Sequence, residues 1–193
     1  MIKIDKSTGA TALIGAFNAG GATMSAIAFG PGGQIYGWLD SIDGDLYSID
    51  PTTGAATLVG ESGLDMAVTG LAIDSIGRIF VSVCCGSSNL RMIDSTSGAA
   101  LAIIAYDPDD TAVLALAFDD ADTLFGIRAS GGDAGLREVV TIDPVTGEVT
   151  ILGPSADNLR AVAFDDFAIA EPRTLALLML GFAGLGFVRH RQA

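Results

Sequence analysis

The sequence predicts an all-β fold of β-propeller-like repeats of about 44 residues, each a four-stranded blade, followed by a short C-terminal hydrophobic helix. Two observations predict this fold. A turn-like phrase, ID..TG, recurs four times, and a short apolar phrase that ends in a turn recurs between its copies. Helical periodicity is absent before the C-terminal segment. We therefore divide the chain into a repeat domain, 1–168, and a C-terminal segment, 169–193.

The first phrase reads IDKSTGATALIG, IDPTTGAATLVG, IDSTSGAALAII and IDPVTGEVTILG, and its aspartates are separated by 45, 44 and 49 residues. In such a turn aspartate can bond its own backbone two residues later, proline presets φ, and glycine accepts a positive φ. We therefore expect structural turns here, rather than catalytic or calcium-binding residues. The positions are Asp5, Gly9, Asp50, Gly54, Asp94, Gly98, Asp143 and Gly147.

The second phrase reads SAIAFGPGGQIYG, TGLAIDSIGRIFV, LALAFDDADTLFG and RAVAFDDFAIA. Its apolar run predicts a first strand, and the IY, IF or LF after the turn begins a second. A third strand ends at ID..TG, and the alternating ATLVG or VTILG predicts a fourth. In the last unit, we expect the first strand over 161–164.

The first unit is expected to lack its first two strands, because Met1 aligns with Leu46 at the start of a third strand. We favour a chain truncated at its N-terminus, because no secretory signal peptide is visible either. The alternative is a closed four-bladed ring, in which the last strand joins the first two and removes exposed sheet edges.

Composition excludes some partners. The 193 residues include 10 Lys and Arg against 23 Asp and Glu, a formal net charge of −13. Such a chain is repelled by nucleic acid and by anionic lipid. The acidic clusters at 40–45, 107–110 and 119–122 lack the spacing of an EF-hand loop, so we expect no metal site and no cofactor, with weak calcium binding as the alternative.

Cys84 and Cys85 are adjacent, and neighbouring side chains of a strand point to opposite faces. We expect two unlinked thiols, with a vicinal disulfide in a strained turn as the alternative. Trp38, the single tryptophan, is expected to pack between blades, with stacking on a sugar as the alternative.

No catalytic constellation is visible in the sequence. The single histidine, His190, lies in the C-terminal segment, and HExxH, CxxC, phosphate-loop and nucleophile-elbow motifs are absent. We therefore predict that the chain is not an enzyme. The alternative is a polysaccharide hydrolase or lyase that uses Asp74, Asp119 and Asp165 around a central channel.

The C-terminal segment contains an uncharged run, 175–188, followed at once by Arg189 and Arg191. As a helix this run would span roughly 21 Å, against roughly 30 Å of bilayer hydrocarbon. The arginines would hold the C-terminus in the cytoplasm. A short membrane segment is expected, with a core helix that caps the propeller as the alternative. Its apolar residues include Leu175, Leu178, Leu180, Phe182, Leu185, Phe187 and Val188.

This arrangement resembles the PEP-CTERM sorting signal of Gram-negative bacteria, in which a Pro-Glu-Pro motif precedes a hydrophobic segment and a basic end. Glu171 and Pro172 match the second and third motif positions, and Ala170 stands where the first proline would be. That departure weakens the case for efficient processing. The ID..TG units also look like the propeller repeats of several proteins with this signal.

The resemblance implies where the protein is sorted in the cell. Its expected partner is an exosortase-type membrane peptidase, and its expected route is transient residence in the inner membrane, then the cell surface or extracellular matrix. We predict a non-catalytic exported protein with a binding or structural role in exopolysaccharide or biofilm. Polysaccharide is one candidate partner, and the sequence does not identify the ligand of the propeller. The alternatives are the hydrolase or lyase described above and a non-functional gene fragment.

Overall fold

The computed structural model describes residues 1–20, 23–40, 44–64, 67–83, 88–108, 112–129 and 135–164. Strands β1 (Ile2–Ile4) and β2 (Thr11–Leu13) form a two-stranded sheet. Three four-stranded sheets follow, here called blades 1, 2 and 3. Blade 1 comprises β3 (Thr23–Phe29), β4 (Ile35–Asp40), β5 (Asp45–Ile49) and β6 (Ala56–Glu61).

Blade 2 comprises β7 (Val68–Ile73), β8 (Ile79–Val83), β9 (Asn89–Ile93) and β10 (Ala100–Ala105). Blade 3 comprises β11 (Val113–Phe118), β12 (Leu124–Ala129), β13 (Arg137–Ile142) and β14 (Val149–Pro154). In each blade, consecutive strands pair antiparallel in chain order. The all-β prediction with four-stranded blades is confirmed, and the predicted C-terminal helix lies outside the described residues.

The inner strands of the blades are β3, β7 and β11, and β7 contacts both of the others. The three blades share one register, because Phe29, Ile73 and Phe118 each end an inner strand and pair with the first residue of the next strand. An inner strand is thus followed by a hairpin at the same end of the blade as the ID..TG turn. This common register places equivalent residues of each unit side by side.

The core lies between the blades. One cluster joins blade 1 to blade 2 through Trp38, Leu46, Leu71 and Val81. A second cluster joins blade 2 to blade 3 through side chains that include Phe80, Leu90, Leu116 and Val140. Trp38 is 1% exposed, which confirms that it packs between blades and excludes sugar stacking in this conformation.

The first and last units differ from the complete blades. The first unit consists of β1 and β2, which pair only with each other among the described residues. The prediction of a strand over 161–164 is wrong, because these residues form no strand. A strand needs a partner, and the described residues of the last unit supply no second strand for it. Phe164 instead packs its ring against Phe125 of β12, with ring centroids 4.7 Å apart.

Candidate functional site at the inner-strand turns

The turns that follow β7 and β11, together with the end of β3, surround a groove of about 330 Å³, here called the inner-strand groove. It collects four aspartates from two blades and apolar side chains from all three. The lining includes Phe29, Pro31, Asp74, Ser75, Phe118, Asp119, Asp120 and Asp122. Sequence analysis placed Asp74 and Asp119 around a channel, and the structure brings both to this groove.

Asp74 is held by its own turn. The residue is 2% exposed, and its Oδ1 accepts hydrogen bonds from the backbone N–H groups of Ile76 (3.2 Å) and Arg78 (2.8 Å). Its Oδ2 accepts a hydrogen bond from Nε of Arg78. Both oxygens are therefore engaged, and a charged partner compensates the burial of the carboxylate.

Asp119 makes the equivalent backbone hydrogen bonds in blade 3. Its Oδ1 accepts hydrogen bonds from the backbone N–H groups of Ala121 (3.0 Å) and Thr123 (2.7 Å). The turn in blade 1 has Gly30 at this position and closes through backbone bonds alone. Asp74 and Asp119 therefore occupy equivalent positions, and each carboxylate closes the hairpin that follows its inner strand.

Asp122 is a residue of this groove that sequence reasoning missed. Its φ is +59°, at the turn position that Gly33 and Gly77 occupy in the other blades. Its carboxylate accepts hydrogen bonds from the hydroxyl of Ser75 and from the Ser75 backbone N–H (2.8 Å), which links blade 3 to blade 2. These bonds lower the pKa of Asp122. An aspartate where the other units have glycine was the signal in the sequence.

The structure places the ID..TG residues in four equivalent turns. In each turn the aspartate C=O accepts a hydrogen bond from the glycine N–H at 2.8–2.9 Å, and the glycine φ lies between +70° and +82°. The aspartate Oδ1 accepts hydrogen bonds from the backbone N–H groups two and three residues later.

These hydrogen bonds also set the charge of the turns. The hydroxyl of Ser7 and neighbouring N–H groups lower the pKa of Asp5 to about 2. The hydroxyl of Thr96 and neighbouring N–H groups do the same for Asp94. The pKa values of Asp50, which bonds to the Thr52 hydroxyl, and of Asp143, which bonds to the Val145 N–H, are lowered too. All four turns therefore carry a negative charge at neutral pH.

Two further grooves lie at the same repeat position of different blades, between the inner-strand turn and the ID..TG turn. The groove in blade 3, of about 420 Å³, includes Thr123, Asp143, Glu148 and Thr150 in its lining. The groove in blade 1, of about 540 Å³, is lined in part by Gln34, Asp50, Thr52 and Thr57. Hydroxyl and carboxylate groups thus line both grooves, and Gln34 adds an amide group in blade 1. These two grooves are here called the rim grooves.

Within the described ranges, no three carboxylate, thiol or imidazole side chains lie close enough together to hold a metal ion. In the same part of the chain, no helix has the length and apolar character needed to cross a membrane. Several predicted residues lie outside the described residues. They are Cys84, Cys85, Asp165, Ala170, Glu171, Pro172, Leu175, Leu178, Leu180, Phe182, Leu185, Phe187, Val188, Arg189, His190 and Arg191.

No protein-family model matches the chain, and no curated protein matches it in sequence. Solved structures do. An engineered GH43 glycoside hydrolase with endo-xylanase and exo-arabinofuranosidase activity aligns over 71% of this chain and 30% of its own, with 11% identity and a TM-score of 0.51. The Dos1 propeller aligns over 81% of this chain and 40% of its own, with 15% identity and a TM-score of 0.44.

The fold is a β-propeller. Puromycin hydrolase is also similar, over 76% of this chain and 22% of its own, with 24% identity and a TM-score of 0.45. The chain therefore spans between 22% and 40% of the length of these three structures. At such identities the likeness concerns the fold alone, because one propeller scaffold carries many unrelated activities.

Proposed function

We propose that this chain is the body of an exported, non-catalytic β-propeller that binds polysaccharide at the bacterial cell surface or in the extracellular matrix. One observation carries the non-catalytic part. The carboxylates of Asp74 and Asp119, the described candidates for acid and base, are bonded into their own hairpins. A general acid or base needs a carboxylate aimed at the substrate, with a pKa tuned towards the working pH.

The rim grooves support polysaccharide as the ligand. Thr57 and Thr150 line them at equivalent positions of blades 1 and 3, together with turn aspartates that stay ionised. Hydroxyl and carboxylate groups pair well with the hydroxyl groups of a sugar chain. Because the net charge is −13, a neutral polysaccharide suits this surface better than an acidic one.

The binding claim is tested by electrophoresis of the protein through gels that contain a neutral polysaccharide such as xylan. Retarded migration is expected, and the double variant Thr57→Val with Thr150→Val should reduce the retardation several-fold. Asp119→Asn is the control outside the rim grooves. Relative to its own migration in a gel without polysaccharide, it should be retarded as much as the parent is. Retardation that the double variant leaves unchanged would remove the rim grooves from the proposal.

The same mixtures test the absence of catalysis. We expect no increase in reducing sugar ends after long incubation. An increase that Asp119→Asn abolishes would instead establish the hydrolase alternative, because that substitution removes the ionisable group and keeps the shape of the side chain.

The export part of the proposal is supported by the order of Glu171, Pro172, the uncharged run 175–188 and the terminal arginines. The partner proposed for this segment is an exosortase-type peptidase of the inner membrane. The test is expression, behind a secretory signal peptide, in a bacterium that has an exosortase. We expect a shortened body that ends near Glu171, measured by mass spectrometry.

Two variants sharpen this test. Glu171→Ala should leave the chain uncut, and Ala170→Pro should increase the cut fraction because it restores the first proline of the resembled motif. Full-length protein in every case would contradict the sorting proposal, and it would leave the binding proposal to be judged by the gels.

A further inference from the structure

The rim grooves of blades 1 and 3 stand at a repeat position that carries different side chains in blade 2. Gln34, Arg78 and Thr123 are equivalent, because each directly precedes the second strand of its blade. Blade 2 thus has a cation where the other two blades have uncharged side chains. The remaining equivalences are Ser48, Met92 and Thr141 on the third strands, and Thr57, Leu101 and Thr150 on the outer strands.

The guanidinium of Arg78 shows what this repeat position can hold. Its Nε donates a hydrogen bond to Oδ2 of Asp74, and its Cζ lies 5.7 Å from the centroid of the Phe80 ring. Phe80 pairs across the strands with Met92, the equivalent of two residues that line the rim grooves. The cation of blade 2 therefore lies on the blade face that carries the rim grooves in blades 1 and 3.

The rim grooves keep the acidic side chains of this position without the cation. Asp50 lines the groove in blade 1, and Asp143 and Glu148 line the groove in blade 3. Among the described residues, neither lining includes a lysine or an arginine. The turn hydrogen bonds of Asp50 and Asp143 go to Oδ1, which leaves Oδ2 of each to accept from a ligand.

The groove in blade 1 belongs to the junction of two complete blades. Ser48 of its lining pairs with Tyr36, which packs against the core cluster between blades 1 and 2. The groove therefore lies on the face that blade 1 turns towards blade 2. Its volume of about 540 Å³ is within the range of sites that hold small ligands.

We propose that the rim grooves take a protonated amino group, and that the polysaccharide bound by this chain contains amino sugars. This inference rests on the proposed function, because it names the ligand class of the same grooves. The ammonium group takes the place that the Arg78 guanidinium holds in blade 2, beside Asp50 in blade 1 and beside Asp143 in blade 3. The hydroxyl groups of Thr57 and Thr150 bond to the hydroxyl groups of the sugar.

Charge favours an amino sugar over other sugars in these grooves. A hydrogen bond from an ammonium group to a carboxylate is stronger than one from a neutral hydroxyl group. The net charge of −13 also attracts a cationic polymer and repels an acidic one. A neutral sugar can still bond to the threonine hydroxyls, so it binds the same grooves more weakly.

The test uses two trimers of β-1,4-linked glucosamine, one with free amino groups and one fully N-acetylated, which differ in charge at equal length and linkage. Each is titrated into the full chain at about pH 5.5, where amino groups are protonated and the lowered pKa values keep Asp50 and Asp143 ionised. The NMR amide signals of Thr57 and Thr150 report binding at the two grooves separately. We expect the amino trimer to bind about threefold to tenfold more tightly.

Charge variants assign this preference to the grooves. Asp50→Asn should abolish it at Thr57 only, and Asp143→Asn should abolish it at Thr150 only, because an amide can keep the turn hydrogen bonds and has no charge. Asp157→Asn is the matched control, since Asp157 is exposed and lines neither groove. This control should leave the preference unchanged at both grooves.

A blocking variant tests the comparison with blade 2. Gln34→Arg gives blade 1 the residue that blade 2 has, and Gln34 is exposed. Its guanidinium should occupy the place of the ammonium group and weaken binding of the amino trimer at Thr57 several-fold. Binding at Thr150 should stay as in the parent. Unchanged binding at Thr57 would show that Arg78 is not a guide to the ligand.

The outcomes separate this inference from the proposed function. Equal affinities for the two trimers would overturn the inference and leave polysaccharide binding intact. Binding of neither trimer, with xylan still retarding the protein, would also overturn the inference alone. If xylan does not retard the protein either, the proposed function fails as well. A preference that Asp157→Asn weakens as much as Asp50→Asn does would assign it to the net charge of the chain, and this too would overturn the inference.

Discussion

Blade 2 and the first inner strand, β3, differ in burial although their sequences follow one phrase. All five residues of β8 are buried, as are five of the six in β7. In β3, exposed and half-buried residues alternate, and Phe29 is 68% exposed. Blade 2 lies between two blades, whereas β3 has a complete blade on one side only. Burial in this fold is thus set by the neighbouring unit, as in other repeat proteins.

The largest effect is expected when a phenylalanine side chain is removed from blade 2, and it is compared with removal of a phenylalanine side chain from β3. Phe80 is 1% exposed between blades 2 and 3, and it packs on Phe118 with ring centroids 5.6 Å apart. Phe80→Ala should lower the free energy of unfolding by about 3–5 kcal/mol. Phe29→Ala should change it by about 0.5 kcal/mol or less. Urea unfolding followed by tryptophan fluorescence measures both, and equal losses would contradict the comparison.

A smaller effect is expected where the backbones of two units touch. Gly60→Ala places a methyl group 1.9 Å from the Ser97 carbonyl oxygen, so the two blades must separate locally. We expect a loss of about 2–3 kcal/mol in the free energy of unfolding. Gly135→Ala is the control, because its nearest neighbour, Asn158, lies at 3.9 Å. If the two variants unfold at the same urea concentration, the contact between the units is not tight.

A polar contact between blades 2 and 3 gives a third test. The buried Ser82 hydroxyl donates a hydrogen bond to the Val113 carbonyl (2.9 Å) and accepts one from the Tyr106 hydroxyl (2.9 Å). Ser82→Ala should cost about 1–2 kcal/mol, because the Tyr106 hydroxyl keeps its burial and loses its partner. Tyr106→Phe on the Ser82→Ala background should then cost little more. Additive losses in urea unfolding would show that the two hydroxyls act separately.

The parts of the fold that depend on local chemistry were predictable from the sequence. The repeated phrases predict the strand order, and the alignment of Met1 with Leu46 predicts a first unit of two strands, as observed. The burial of Trp38 was also expected. The strand over 161–164 was not formed, although its sequence matches the phrase, because pairing needs a second strand that the pattern itself does not supply.

The contacts between units were not predictable, because they depend on where the next blade lies. Asp122 stands out in the sequence because the other units have glycine there, but nothing local identifies its partner, Ser75, 47 positions earlier in the chain. A glycine ends ALIG, TLVG and TILG in three of the four units, yet the reason for Gly15 and Gly60 is the carbonyl of a turn in the next unit. From the sequence alone, Asp74 is a candidate catalytic acid, and only the structure shows that its carboxylate is bonded to Arg78.

The smallest effect is expected in the ID..TG turns. Their hydrogen bonds lie within each turn, so we expect them to be independent of the neighbouring unit. The pKa values of Asp5 and Asp94 are both lowered to about 2 from 3.8. The unfolded chain therefore binds more protons between these values, and stability is lost as the pH falls from about 4 to about 2. Asp5→Asn and Asp94→Asn should each flatten the pH dependence of the urea midpoint, by equal amounts. Unequal changes would show that the neighbouring unit also affects these turns.

Hydrogen exchange of the inner strands tests most directly the claim that a neighbouring unit sets burial. Peptides that cover β3 and β7 are compared by mass spectrometry. The account predicts that the amides of β3 exchange faster than those of β7, because β3 is less buried. Protection of β3 equal to that of β7 would contradict the account.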